Sequence, residues 1–159
     1  MSGDCISRAE LPRLSEQLRA EGKRIVFTNG CFDLLHVGHL RYLRQARELG
    51  DVLVVGLNTD ASVRRLKGPE RPLTPEDERA ELLAALRCVD YVTLFDEPVP
   101  SAVIELLRPH VHVKGGDYTP DRLPEASLVR SLGGEVVILP LTPGRSTTGI
   151  VEKLRKGQE

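Results

Sequence analysis

Residues 25–40, read Ile-Val-Phe-Thr-Asn-Gly-Cys-Phe-Asp-Leu-Leu-His-Val-Gly-His-Leu, constrain this chain more than any other stretch. An apolar run with β-branched residues enters the segment, and apolar positions at helical spacing leave it. Between them lie two glycines, two histidines and an aspartate. The pattern predicts a first strand turning sharply into a first helix. Gly30 lets the backbone turn and approach a ligand. A helix starting here presents unpaired N–H groups and a positive dipole end, suited to an anion. His36 and His39 are three residues apart and share a face on a helical first turn. Gly38 removes a side chain from beside them.

The rest of the chain alternates strand and helix patterns. A short helix is expected over 7–22, strands over 24–28, 51–58, 91–94, 112–114 and 135–139, and helices over 40–49, 75–86, 101–107 and 125–132. Thr74 is the expected cap of the helix from Pro75, with Leu82, Leu83 and Leu86 facing the core. A last helix follows Ser146-Thr147-Thr148. The nearly unbroken apolar run 52–57 suits a strand buried on both faces, as in a parallel sheet. Residues 59–75 hold Arg64, Arg65, Lys67 and Arg71 among Gly68, Pro69 and Pro72, and read as a basic loop. The order predicts an α/β fold, a Rossmann-like three-layer sandwich of about five parallel strands flanked by helices. One domain spanning 1–159 is expected, with its core over about 24–154 and residues 1–22 as an N-terminal helical extension. Ligands in such sheets bind beyond the carboxyl ends of the strands. The segments after the strands should therefore meet on one rim.

Composition narrows the chemistry. The net charge of −1 gives no field to recruit nucleic acid or anionic membrane, so phosphate binding must be local. No apolar run approaches a membrane span, and the first residues lack the apolar core of a signal peptide. Cys5, Cys31 and Cys88 show no metal spacing and suit free thiols in a cytoplasmic setting. The first motif is neither G-x-G-x-x-G nor G-x-x-x-x-G-K-[ST]. His36 and His39 could instead be zinc ligands beside Cys31 or Asp33, or surface residues at a helix start. Cys31 reads as space-filling rather than nucleophilic, since no paired base accompanies it.

The stretch 30–39 resembles the G-x-F-D-x-x-H-x-G-H signature of the cytidylyltransferase-like nucleotidyltransferases, whose H-x-G-H element is shared with class I aminoacyl-tRNA synthetases. Residues 146–148 resemble their second signature, with Arg145 where an apolar residue is common. The similarity covers about 24–154. Within the superfamily, residues 27–33, 65–68 with Arg71-Pro72, and 113–118 are similar to the adenylyltransferase domains of bacterial ADP-heptose synthases. The resemblance implies transfer of AMP from ATP to D-glycero-β-D-manno-heptose 1-phosphate, giving ADP-heptose and pyrophosphate without a covalent intermediate. It implies His36, His39 and Lys67 as catalytic groups. Asn29, Gly30, Cys31, Phe32, Gly38, Gly116, Asp117, Ser146 and Thr147 would bind nucleotide, and Asp33, Arg79 and Lys114 the acceptor. Asp33 reads equally as a helix cap, Arg79 as a surface arginine and Lys67 as a solvated loop charge. Mg²⁺ would enter with the ATP phosphates, without protein ligands. The implied partners are ATP and a sugar 1-phosphate, with a homodimer and a separate sugar kinase expected, and neither nucleic acid nor membrane. Rival readings are the same transfer to glycerol 3-phosphate, an alcohol phosphate or FMN, with CTP or ATP as donor, and a nucleotide-sensing module without turnover.

Overall fold

A computed structural model describes residues 3–116 and 118–157 of the chain. Six parallel strands form one sheet: β1 (Asp4–Cys5), β2 (Ile25–Gly30), β3 (Val52–Asn58), β4 (Tyr91–Phe95), β5 (Val111–Gly115) and β6 (Glu135–Leu139). Their order is β1-β4-β3-β2-β5-β6. Among the described residues seven α-helices accompany these six strands: α1 (Leu11–Ala20), α2 (Val37–Arg47), α3 (Asp60–Lys67), α4 (Glu76–Ala84), α5 (Ser101–Leu107), α6 (Ala126–Ser131) and α7 (Thr147–Lys156). The Rossmann-like α/β expectation holds.

Alternation along each strand divides the core into two layers. Val26, Leu53, Val55 and Val113 point to the side where Leu43 of α2 and Leu83 of α4 pack. Ile25, Phe27, Val52 and Val54 point to the other side, against Leu11, Leu14 and Leu18 of α1, Ile104 and Leu107 of α5, and Val129 of α6. From β2 the chain builds outward to β3 and β4, then returns to place β5 on the other flank of β2. The crossovers from β2 and from β5 thus leave in opposite directions, opening a crevice above the β2 and β5 carboxyl ends.

The structure revises several local expectations. The strand beyond the expected five, β1, is only two residues long, Asp4 pairing with Tyr91 and Cys5 with Val92, and so short a segment carries no alternation to read. Residues 60–67, expected as loop, form α3. Thr59 caps it by accepting the Ser62 N–H at 3.2 Å, and Gly68 at φ 102° ends it. Thr74 does not cap α4; Pro75 holds that position, and no side chain closes the helix end. Leu82 is 50% exposed rather than buried. Among the described residues no helix is long and apolar enough to cross a membrane.

Candidate active site

The turn after β2 and the first turn of α2 shape the crevice. His36 is the N-cap of α2: its Nδ1 accepts the Gly38 N–H at 3.1 Å. His39 replies by accepting the His36 N–H on its own Nδ1 at 3.3 Å. Two imidazoles therefore build the capping box usually made by Ser or Thr with Glu. Their rings stack with centroids 3.8 Å apart. With Nδ1 accepting in both rings, the one proton of each neutral imidazole sits on Nε2, free to donate. Burial, the neighbouring His36 and Lys67 push the His39 imidazole down to about 4. Burial and then Arg145 lower His36 as well. At neutral pH the pair thus presents two N–H donors rather than charge.

The glycines around them are dictated by contact. A Cβ on Gly38 would lie 2.8 Å from the His36 ring, and one on Gly30 would lie 2.9 Å from the Phe32 ring. Phe32 itself holds a positive φ of 45°, uncommon for a large side chain, and its ring tilts against His39 at 5.3 Å. The tight turn thus places an aromatic wall behind the second histidine.

A cavity of about 390 Å³ opens over this turn. Asn29, Gly30, Cys31, Phe32 and Asp33 line its floor, with His36, Gly38 and His39 beside them. Lys67 arrives from the end of α3 and Lys114 from β5. Ser146 and Thr147 arrive from the start of α7, where Ser146 caps the helix by accepting the Gly149 N–H at 2.9 Å. Thr147 Oγ1 donates to the Leu34 carbonyl at 3.2 Å, tying the α7 terminus to the β2–α2 turn. Residues more than a hundred positions apart thus share one rim, and two helix N-termini converge there. Three cationic side chains, Lys67, Lys114 and Arg145, line the cavity.

Asp33 is the carboxylate of that lining among the described residues, and its oxygens are engaged in the loop ahead of α4. It accepts the backbone N–H groups of Leu73 and Thr74 at 2.9 and 3.0 Å and Arg71 Nε at 2.7 Å. Burial pushes its carboxyl up, but these donors outweigh burial and hold it below the ordinary carboxylate range. It fastens the segment after α3 to the motif turn and does not cap a helix. Burial pushes the Cys31 thiol up, which suits a space-filling residue.

Arg79 does not reach the cavity. It is 1% exposed, and its guanidinium donates to the carbonyls of Thr74, Cys31 and Asn58 and to Asp60 Oδ1, at 2.7 to 2.9 Å. Instead of binding substrate from the surface of α4, it clamps β2, β3 and α4 from within. Gly116, at φ 121°, stands beside the cavity against Tyr118 and Leu141. Asp117 lies outside the described residues.

Several lining residues were not anticipated. Tyr42 follows His39 by three positions, a spacing that puts it on the same helix face and was legible. Its hydroxyl donates to the Val113 carbonyl at 3.0 Å and meets Thr28 Oγ1 at 2.6 Å, joining α2, β2 and β5. Burial pushes its phenol up, so it stays a neutral donor. Leu141 and Thr142 also line the cavity and carry no sequence signal. Among the described residues no group of three or more His, Cys, Asp or Glu could hold a metal ion. With Asp33 engaged elsewhere, the zinc reading of His36 and His39 finds no such group among the described residues.

Comparison with known proteins agrees with the fold. The family described as cytidylyltransferase-like matches residues 27–153. The chain is 58% identical over 92% of its length to the bifunctional protein HldE of Syntrophotalea carbinolica. It is 62% identical over 87% of its length to that of Geotalea uraniireducens. It spans only 30% and 28% of those two proteins. Among solved structures, the lipopolysaccharide core biosynthesis protein from Thermoplasma volcanium is similar at 32% identity and a TM-score of 0.61. That match covers 76% of this chain and 98% of the other.

Proposed function

The chain belongs to the cytidylyltransferase-like family, and from that premise we propose that it transfers AMP from ATP to D-glycero-β-D-manno-heptose 1-phosphate, releasing pyrophosphate. The observation that carries the reading is the histidine capping box. It leaves two Nε2–H donors in a cavity lined by three cations, beside two converging helix ends. Such a site suits an anion on which charge develops, and burial pushes the Cys31 thiol up, away from the thiolate that a nucleophile needs. The similarity to HldE proteins and to a lipopolysaccharide core biosynthesis protein supports a sugar phosphate as acceptor.

In this reading the acceptor's phosphate oxygen attacks the α-phosphorus of ATP in line. The bond to the β-phosphate oxygen breaks, and pyrophosphate leaves with that electron pair. The attacking oxygen is already anionic, so no general base is needed. His36 and His39 donate to the α-phosphate oxygens, and the start of α7 with Ser146, Thr147 and Arg145 holds the leaving phosphates. Lys67 closes from α3. One donor to a developing oxyanion is worth about 2.7–4 kcal/mol, while a helix terminus adds roughly 0.3–1 kcal/mol. The histidines therefore carry more of the rate than the dipoles do. A magnesium ion would come on the ATP phosphates and would neutralise part of their charge, since among the described residues no group of three or more His, Cys, Asp or Glu would hold it separately.

The test is a panel of nucleoside triphosphates against phosphorylated acceptors, read as pyrophosphate release. Turnover with ATP and heptose 1-phosphate is expected. Turnover with CTP alone would reject the donor, and turnover only with glycerol 3-phosphate or FMN would reject the acceptor. ATP binding without turnover on any acceptor would favour a sensing module.

A further inference from the structure

A buried pair lies under the Lys114 side of the cavity, and the transfer just described leaves it unused. His112 is 0% exposed and Glu125 2%. His112 Nε2 stands 2.9 Å from Glu125 Oε1, and the ring stacks on Phe27 at 5.5 Å. His112 and Lys114 are two residues apart on β5 and project from the same face of the sheet. On β2, Phe27 sits opposite His112 and Asn29 follows two residues on. Lys114 Nζ donates to Asn29 Oδ1 at 3.4 Å. One face of two strands thus runs from a closed interior pair to a lysine on the cavity rim.

A buried carboxylate is unfavourable unless something uses its charge, since apolar packing of similar volume would hold α6 as well. The far ring nitrogen of His112, Nδ1, is buried without a hydrogen-bond partner among the described residues, so within the pair the ring is held only by Glu125. The Glu125 carboxylate also reaches beyond the pair. Lys114 feels it: burial pushes the ammonium below its ordinary value, and Glu125 is the main charge pulling it back. Cys31, on the turn after β2, acts in the same direction, and Asn29 on β2 is uncharged. Burial likewise pushes Glu125 up, but the His112 hydrogen bond and its own backbone N–H prevail and keep it ionised.

We propose that Glu125, braced by His112, is the positioning residue for Lys114, the side chain that the family resemblance gives to the acceptor. This deepens the adenylyl-transfer reading and rests on it. In-line displacement puts the incoming and leaving groups on opposite sides of the α-phosphorus. The leaving phosphates take the helix ends and Arg145. The incoming phosphate needs its own cation on the β5 wall, and Lys114 stands there.

Glu125→Gln preserves shape and a hydrogen bond to His112 while removing the charge. The first measurement needs no substrate: the pH dependence of Lys114 acetylation by acetic anhydride, read by peptide mass spectrometry. Glu125→Gln should move the midpoint to lower pH, and an unmoved midpoint overturns the coupling. The second is kinetic, with ATP and heptose 1-phosphate across an alkaline pH series, in which a lysine without its counter-charge loses its proton sooner. Glu125→Gln should raise the acceptor KM about tenfold, the scale of a charged hydrogen bond, while the ATP KM holds. Adding Lys114→Arg, charged at every working pH, should restore a pH-independent acceptor KM. An equal rise in both KM values, or no restoration, overturns the proposal. Lys114→Gln sits on the rim and leaves the buried pair intact, so it decides the acceptor role even if Glu125→Gln does not fold; an unchanged acceptor KM there overturns it. If the wild-type chain ignores heptose 1-phosphate, the proposed acceptor has failed, and the acetylation measurement still decides whether Glu125 holds Lys114.

Discussion

Replacing His36 separates two roles that the structure combines in one ring. His36 closes the first turn of α2 through Nδ1 and offers Nε2–H to the cavity. His36→Ala removes both. Losing an N-cap acceptor costs about 0.5–2 kcal/mol of stability. For a chain of this length that lowers the melting temperature by roughly 2–4 °C per kcal/mol. Losing a donor to the transition state costs about 2.7–4 kcal/mol, or roughly 10²–10³ in kcat. His36→Asn divides these effects, because Asn is among the best N-cap residues but its short amide does not reach as an imidazole does. The Asn variant should melt within about 1 °C of wild type, since its cap is replaced, yet lose roughly 10²–10³ in kcat. Thermal melts and steady-state pyrophosphate release check both halves. An Asn variant with turnover within about tenfold of wild type would refute the donor role, because a tenfold loss corresponds to only 1.4 kcal/mol. An Asn variant as unstable as the Ala variant would refute the capping argument.

Other consequences are as direct. His39 in the ligand-free protein should titrate by NMR near 4, where its burial and neighbours place it; a midpoint at the ordinary 6.5 would contradict the packing. Since that folded value is depressed, protonation favours the unfolded chain: the contribution is complete above 6.5 and is lost as pH falls toward about 4, a loss that His39→Gln should flatten in urea melts. Asp33→Ala leaves the Arg71 guanidinium and two backbone donors without their acceptor and should cost about 3–5 kcal/mol in urea unfolding. Its carboxyl is likewise depressed, so its contribution is present above the ordinary carboxylate range and fades as pH falls through the lowered value, a slope that Asp33→Asn should remove. Arg79→Met should cost several kcal/mol of stability, on the order of 3–5, with acceptor and ATP KM little changed in the folded fraction; a selective loss of phosphate affinity would return Arg79 to the site.

The alternation of apolar runs and the G-x-F-D-x-x-H-x-G-H turn made the sheet and most of the cavity readable in advance, because both depend on local spacing. What escaped reading depends on distant partners. Arg79 follows a run of acidic residues on α4 and looks solvated. Its burial is explained by carbonyls of Cys31 and Asn58, residues on other elements that no helical pattern reveals. Asp33 looked like a helix cap because it precedes a helix; its donors come from residues 71–74, forty positions away. The charges of α3 hid a helix whose start is signed by Thr59 and Asp60 and whose end is signed by Gly68. Leu82 shows the converse error, an apolar residue on the wrong side of a short helix.

The reciprocal cap of His36 and His39 also bears on how such a site can decay. A descendant released from catalysis would still need something to begin α2, and Ser, Thr or Asp with Glu would begin it better. Drift at either imidazole would then disturb the other, since each ring accepts a bond that supports the other's placement. An intermediate that loses one histidine to a residue unable to cap would have a frayed helix as well as one donor fewer, whereas one that takes Asn, Ser or Asp at position 36 would keep its helix start. The tolerated route away from the pair therefore begins at His36 and runs through the capping residues.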